Sequence, residues 1–250
     1  MKDRLLIVDF DGVVCNSIDE CMFSSYNVYL SSKGLEKVND LKEIDDKQKN
    51  KFYRLRPFIW NGSDYVLLFH IINDKIDVKD QESFNKIRAE YKQNLDRYSA
   101  DLYEEREFLV KNRKDFWLSL NPLYKAGNLI RDFKSYESFY ILSTKKNDYV
   151  VEILKHNKIN LPSDHVRYCS QSSKLEGLSS ILDKNGIDLE DSMFVEDQIE
   201  SLIDAQKLGI GLYLADWSYI NQAQKKKAQK LGIKIINEDD FGKLVRPFMN

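Results

Sequence analysis

An alternation along the chain constrains its fold more than anything else in the sequence. Short, uniformly apolar runs at Leu5–Val8, Phe139–Leu142, Met193–Val195 and Leu212–Leu214 have the length and character of strands buried on both faces. Asn128–Phe133, Tyr149–His156, Leu175–Leu182, Ile199–Leu208 and Ile220–Leu231 carry apolar residues at helical spacing. Weaker strands are expected at Val166–Cys169 and Ile233–Ile236. Strands alternating with helices imply an α/β fold with a doubly wound, mostly parallel sheet, Rossmann-like in its layering.

The alternation stops between about Cys15 and Asn121. Ile18, Cys21, Met22 and Tyr26, and later Tyr91, Leu95, Tyr98 and Leu102, sit at helical spacing, and no convincing strand lies between them. The expected organisation is a core of residues 1–15 and 121–250 and a helical domain of residues 16–120. Asn121-Pro122 marks the re-entry, since a residue before proline is pushed out of helical geometry.

Composition narrows the partners. The 38 Lys and Arg nearly cancel the 40 Asp and Glu, so the chain has no basic footprint for nucleic acid, and small molecules are the expected partners. Its three cysteines, Cys15, Cys21 and Cys169, fit no metal-ligand spacing and are expected as reduced thiols. Asp9 and Asp11 break the first apolar stretch well short of a signal-peptide or membrane-spanning length, so a cytoplasmic protein with no membrane partner is expected. Lys225-Lys226-Lys227 is the solvated face of a helix or a phosphate-binding patch.

The residues that carry chemistry begin at Val8-Asp9-Phe10-Asp11-Gly12-Val13-Val14. Alternation along a strand sends Asp9 and Asp11 to the same side, and open α/β sheets bind ligands beyond the carboxyl ends of their strands. Two carboxylates there are costly without a cation. The segment is either a magnesium site in which one carboxylate is also a nucleophile, or a strand-end Asp turn with Gly12 at the bend.

Three further stations follow in order: Ile141-Leu142-Ser143-Thr144, Ser173-Lys174-Leu175, and Met193-Phe194-Val195-Glu196-Asp197. Taken singly, they also read as a helix N-cap, a solvated lysine and an acidic loop. As a set, with Asp9-Phe10-Asp11-Gly12-Val13, they resemble the four motifs of the haloacid dehalogenase superfamily. The branch they resemble is the phosphoglycolate phosphatase-like one, with a helical cap inserted after the first strand.

That resemblance implies a Mg²⁺-dependent phosphatase acting on a small phosphate monoester, such as a sugar phosphate or an organic-acid phosphate. Asp9 would be the nucleophile and Asp11 the general acid and base, with its main-chain carbonyl on the metal. Ser143, Thr144, Gly12 and Lys174 would hold the phosphoryl group, and Asp197 with Glu196 would complete the metal shell. Many relatives carry a further Asp four residues after the first acid of the last motif, where this chain has Ser201. Glu196 is therefore the expected substitute, and Asp204 is too far along its helix. An acid at position 11 argues against the dehalogenases and phosphonatases of the superfamily.

In the helical segment, Arg54 and Arg56, with Tyr53 and Phe58 beside them, suit an anionic or sugar-like leaving group or are solvated on a helix end. Ala215-Asp216-Trp217-Ser218-Tyr219 follows a strand and lines the cleft or packs. A phosphomutase and a non-catalytic phosphometabolite-binding protein are the remaining alternatives.

Overall fold

The computed structural model describes residues 4–169 and 174–249. The chain divides into two compact units, Ser17–Asn121 and Met1–Asn16 with Pro122–Asn250.

The described part of Ser17–Asn121 is helical. It comprises α1 (Ile18–Ser32), α2 (Asp46–Leu55), α3 (Gly62–Asn73), α4 (Gln81–Glu90), α5 (Lys92–Asn112) and α6 (Lys114–Ser119). Local sequence sets several of the starts. Asp45 accepts from the N–H groups of Lys47 and Gln48, and Asn61 and Asp80 form capping boxes with Asp64 and Ser83, which satisfies donors that a first turn leaves open. Ile18, Cys21 and Met22 of α1 and Leu95, Tyr98 and Leu102 of α5 are buried, as their spacing requires. Between the same two helices, Arg106 donates to both carboxylate oxygens of Glu20, at 2.8 and 2.9 Å. Both groups are buried, and Ser24 donates to the same carboxylate at 2.9 Å. Removing one partner from such a pair costs about 3–5 kcal/mol, because a charge is left in the interior.

The second unit holds a six-stranded sheet of β1 (Leu5–Val8), β2 (Phe139–Ser143), β3 (Val166–Tyr168), β4 (Ser192–Glu196), β5 (Gly211–Ala215) and β6 (Lys234–Ile236). The order is β3-β2-β1-β4-β5-β6 and every pairing is parallel. The chain thus builds outward from β1 on one side and returns to build on the other. The crevice beyond the carboxyl ends at such a reversal is where doubly wound sheets bind ligands. Val8 pairs with Ile141 and with Val195, so the residues after β1, β2 and β4 emerge level with one another.

Helices cover both faces of the sheet. Leu5, Ile7, Leu142, Phe194 and Leu214 pack with Leu178 and Ile181 of α9 (Lys174–Asn185), Leu202 of α10 (Ile199–Ala205) and Ala228 of α11 (Gln222–Lys230). Leu6 and Val8 alternate to the opposite face. There Phe139, paired with Leu6, meets Phe133 edge-on, and Phe133 stacks on Phe248 of α12 (Glu238–Met249). Each such side chain contributes about 1.5–3 kcal/mol when fully buried. α12 is absent from the sequence-based expectation, although Phe241, Val245 and Phe248 give it an apolar face. α7 (Lys125–Leu129) and α8 (Asn147–His156) complete the helices of this unit among the described residues. No described helix is long and apolar enough to cross a membrane.

Candidate active site

The chain leaves β1 at Val8 and turns at once. The Asp9 N–H still donates to the Val195 carbonyl at 2.9 Å, which ties Asp9 to the end of β4. The N–H groups of Val14 and Cys15 then both donate to the Phe10 carbonyl, at 3.0 and 2.8 Å. Asp11 therefore lies in a tight turn, and strand alternation does not set its direction. The Tyr124 N–H donates to the Val14 carbonyl at 3.0 Å, and a Cβ on Gly127 of α7 would lie 2.3 Å from that oxygen. The turn is thus braced from the α7 side.

At Gly12 the turn has room for hydrogen alone. Its φ is +94°, and a Cβ would stand 2.3 Å from Asp197 Oδ2 and 2.6 Å from Ser218 Oγ. Glycine at this position lets the turn after β1 approach the acidic end of β4.

Three buried carboxylates converge there. Asp9, Glu196 and Asp197 each bring an oxygen within 4.8 Å of the others. Lys174, at the start of α9, places Nζ 3.0 Å from Asp9 Oδ1 and 2.5 Å from Glu196 Oε2. Glu196 Oε1 accepts from the N–H groups of Asp197 and Gln198, at 2.9 and 3.1 Å, which fixes the loop that carries Asp197. Burial pushes Asp9 up to about 6, with Asp197 and Asp11 adding to the rise and Lys174 opposing it. Burial, and then the Asp9 charge, hold Glu196 well above the usual carboxylate range. Burial works against the Lys174 charge, but Asp9 and Glu196 overcome it and keep the ammonium above its ordinary range. A buried set of hard oxygen donors with more negative than positive charge fits a small divalent cation, and a cation there would relieve the strain on the acids.

β2 brings the second station to the same end of the sheet. Ser143 is buried, and its Oγ accepts from the Lys145 N–H at 3.1 Å. α8 begins only at Asn147 with no side-chain cap, so neither Ser143 nor Thr144 is an N-cap. The buried Lys145 ammonium lies 3.1 Å from Asp11 Oδ1. Cys169 donates its thiol to the Ser143 carbonyl at 3.6 Å, and burial pushes that thiol up to about 12. All three cysteines are buried thiols outside any disulfide.

The loop after β5 closes the set. Trp217 Nε1 donates to the Val13 carbonyl at 3.1 Å, Ser218 Oγ donates to Asp197 Oδ2 at 2.8 Å, and Tyr219 donates its hydroxyl proton to Asn16 Oδ1.

Asp9, Asp11, Gly12, Ser143, Lys174, Glu196 and Asp197 thus gather at the carboxyl ends of β1, β2 and β4. Ser173 lies outside the described residues. Ser201 is buried on α10 and Asp204 is exposed. Arg54 and Arg56 belong to the helical unit. Arg54 is exposed, whereas Arg56 is buried with its guanidinium 5.7 Å from the centre of the Tyr65 ring. Two of the lysines at 225–227 have partners on the same unit: Lys225 pairs with Asp216, and Lys227 with Glu200 at 3.0 Å. Sequence reasoning missed Lys145, and it named Ser218 only within the 215–219 segment, without a role for its hydroxyl. The signal was position, since each follows the carboxyl end of a strand by a few residues.

No protein-family model matches the sequence, and no curated protein does. The fold has many counterparts among solved structures. A predicted phosphoglycolate phosphatase from Haemophilus somnus 129PT superposes with a TM-score of 0.59 at 15% identity, over 98% of this chain and 99% of that one. A haloacid dehalogenase-like hydrolase from Streptococcus pneumoniae gives 0.58 at 13% identity, over 97% of both chains. A haloacid dehalogenase family hydrolase from Deinococcus radiodurans R1, solved with bound phosphate and sodium, gives 0.55 at 13% identity, over 97% of this chain and 95% of that one. The chain has the haloacid dehalogenase-like fold.

Proposed function

We propose that the protein is a phosphatase that hydrolyses a small phosphate monoester through an aspartyl-phosphate intermediate on Asp9. The observation that carries this reading is Asp9 itself. It is a buried carboxylate at the topological switch point, with a lysine ammonium 3.0 Å away and two further acids around it. Solved structures of the same fold with phosphatase and hydrolase names support it.

Asp9 attacks phosphorus in line with the ester oxygen, a P–O bond forms to its carboxylate, and the bond to the leaving alkoxide breaks. Asp11 gives that oxygen its proton. It then takes a proton from the water that attacks the acyl phosphate, which releases inorganic phosphate and restores Asp9. Ser143 Oγ and Lys174 Nζ hold phosphoryl oxygens, with Thr144 and Gly12 beside them. Asp9, Asp197, the Asp11 carbonyl and Glu196 would hold Mg²⁺. Bound there, Mg²⁺ would supply positive charge against the repulsion between a carboxylate and a phosphate dianion.

The helical unit, inserted in the chain between β1 and α7, is the substrate-selecting cap in this reading, with a sugar or small organic-acid phosphate as the substrate class. Three buried thiols outside any disulfide suit the reducing cytoplasm. The test is release of inorganic phosphate from a panel of phosphorylated metabolites, with Mg²⁺ and with a chelator. Mg²⁺-dependent release from at least one member is expected. No release from any member, or release that requires a bisphosphate activator, would overturn the hydrolase reading, the latter in favour of a mutase.

A further inference from the structure

Ser218 has no part in the four motifs, yet its side chain meets the acidic end of β4. Its Oγ donates to Asp197 Oδ2 at 2.8 Å, and the same Oγ would lie 2.6 Å from a Cβ on residue 12. Packed against Gly12, the Asp197 carboxylate also receives a directed hydroxyl, which favours one of its orientations about the Cβ–Cγ bond. Ser218 is itself held in place. On one side Trp217 is anchored to the Val13 carbonyl and meets Phe241 edge-on, with ring centroids 5.7 Å apart, and on the other Tyr219 is tied to Asn16. The loop after β5 thus spans from α12 to the turn after β1 and brings the Ser218 hydroxyl to Asp197.

We infer that Ser218 is a positioning residue for the metal carboxylate: its hydroxyl fixes the rotation of Asp197 and so presets the cation site before any ion arrives. This rests on the reading of Asp197 as a Mg²⁺ ligand. Hydrogen-bond partners of metal ligands are commonly worth a factor of about 10–100 in metal affinity, because an unheld ligand must be ordered at the moment of binding.

The experiment is a calorimetric titration of the metal-free protein with Mg²⁺ alone. It compares wild type, Ser218→Ala and Tyr219→Phe, with the thermal unfolding of each metal-free protein measured alongside. Tyr219→Phe removes another bond of the same loop without touching Asp197. Ser218→Ala should raise the Kd for Mg²⁺ by roughly ten-fold with an unchanged metal-free Tm, and Tyr219→Phe should stay close to wild type. If Ser218→Ala binds Mg²⁺ as wild type does, the inference is wrong and the phosphatase reading stands. If Tyr219→Phe weakens binding as much as Ser218→Ala, a general loosening of the loop is the cause and the positioning role is overturned. If the wild type takes up no Mg²⁺, the metal reading and the inference fall together.

Discussion

Lys145 Nζ lies 3.1 Å from Asp11 Oδ1, and both groups sit beyond the carboxyl ends of neighbouring strands. The acid proposed to move protons therefore has a buried ammonium as its direct partner. Lys145→Met keeps the stem and removes the charge. The expected outcome is a fall of about 10–100-fold in kcat/KM, because the charge that holds the Asp11 carboxylate is gone. Steady-state kinetics checks this, and an unchanged kcat/KM would make Lys145 a structural residue.

The ionisation of Asp9 links the site to stability. Its pKa rises from 3.8 to about 6 in the folded protein, so between those values the folded state binds more protons than the unfolded chain. The contribution of this group is therefore fully present below the unfolded value and is lost as pH rises through about 6. Metal-free Asp9→Asn should accordingly be more stable than metal-free wild type near pH 7.5, by on the order of 2–3 kcal/mol, and the gap should close only as pH falls to about 4. Saturating Mg²⁺ should reverse the order at neutral pH. Denaturant unfolding at both pH values measures it.

Gly12→Ala tests the close approach of the turn after β1 to β4. A methyl group there would meet Asp197 Oδ2 at 2.3 Å in a backbone with φ of +94°. Moving Asp197 aside to make room should cost roughly 1–3 kcal/mol of stability and weaken Mg²⁺ binding together. Binding and stability both at wild-type levels would show that the turn adapts freely.

Within the helical unit the two arginines should behave differently. Arg56 is buried against Tyr65, and Arg56→Ala should lower Tm by several degrees through lost packing and a lost cation–π contact. Arg54 is exposed, and Arg54→Ala should leave Tm unchanged. Under the proposed function, Arg54→Ala should raise KM for the physiological substrate more than for a small aryl phosphate, which lacks the remote groups. Equal losses on both substrates would remove Arg54 from substrate selection.

The parallel sheet was legible because its strands are buried on both faces, so Leu5–Val8 and Phe139–Leu142 read as unbroken apolar runs. α12 went unread although Phe241, Val245 and Phe248 stand at helical spacing, because Pro247 near its end is a residue that helix interiors disfavour. The carboxylates at 9, 11, 196 and 197 were legible from their order at strand ends. The direction of Asp11 was not, because the strand stops at Val8 and the turn from Phe10 to Cys15 sets it through backbone bonds. Lys145 carries no sequence signal of its own beyond following Ser143 and Thr144. Its burial depends on Asp11, more than 130 residues earlier in the chain. Ser218 likewise acquires meaning only when β5 is placed beside β4.

The central claim is that Asp9 is the nucleophile, and the most direct measurement is inorganic phosphate release by Asp9→Asn with saturating Mg²⁺. The amide keeps the shape of the side chain and loses the attacking charge. The account predicts a folded protein whose kcat is at least about a thousand-fold below wild type on the same phosphate monoester. A folded Asp9→Asn protein that keeps a tenth or more of wild-type turnover would contradict it, roughly two orders of magnitude above what a missing nucleophile allows.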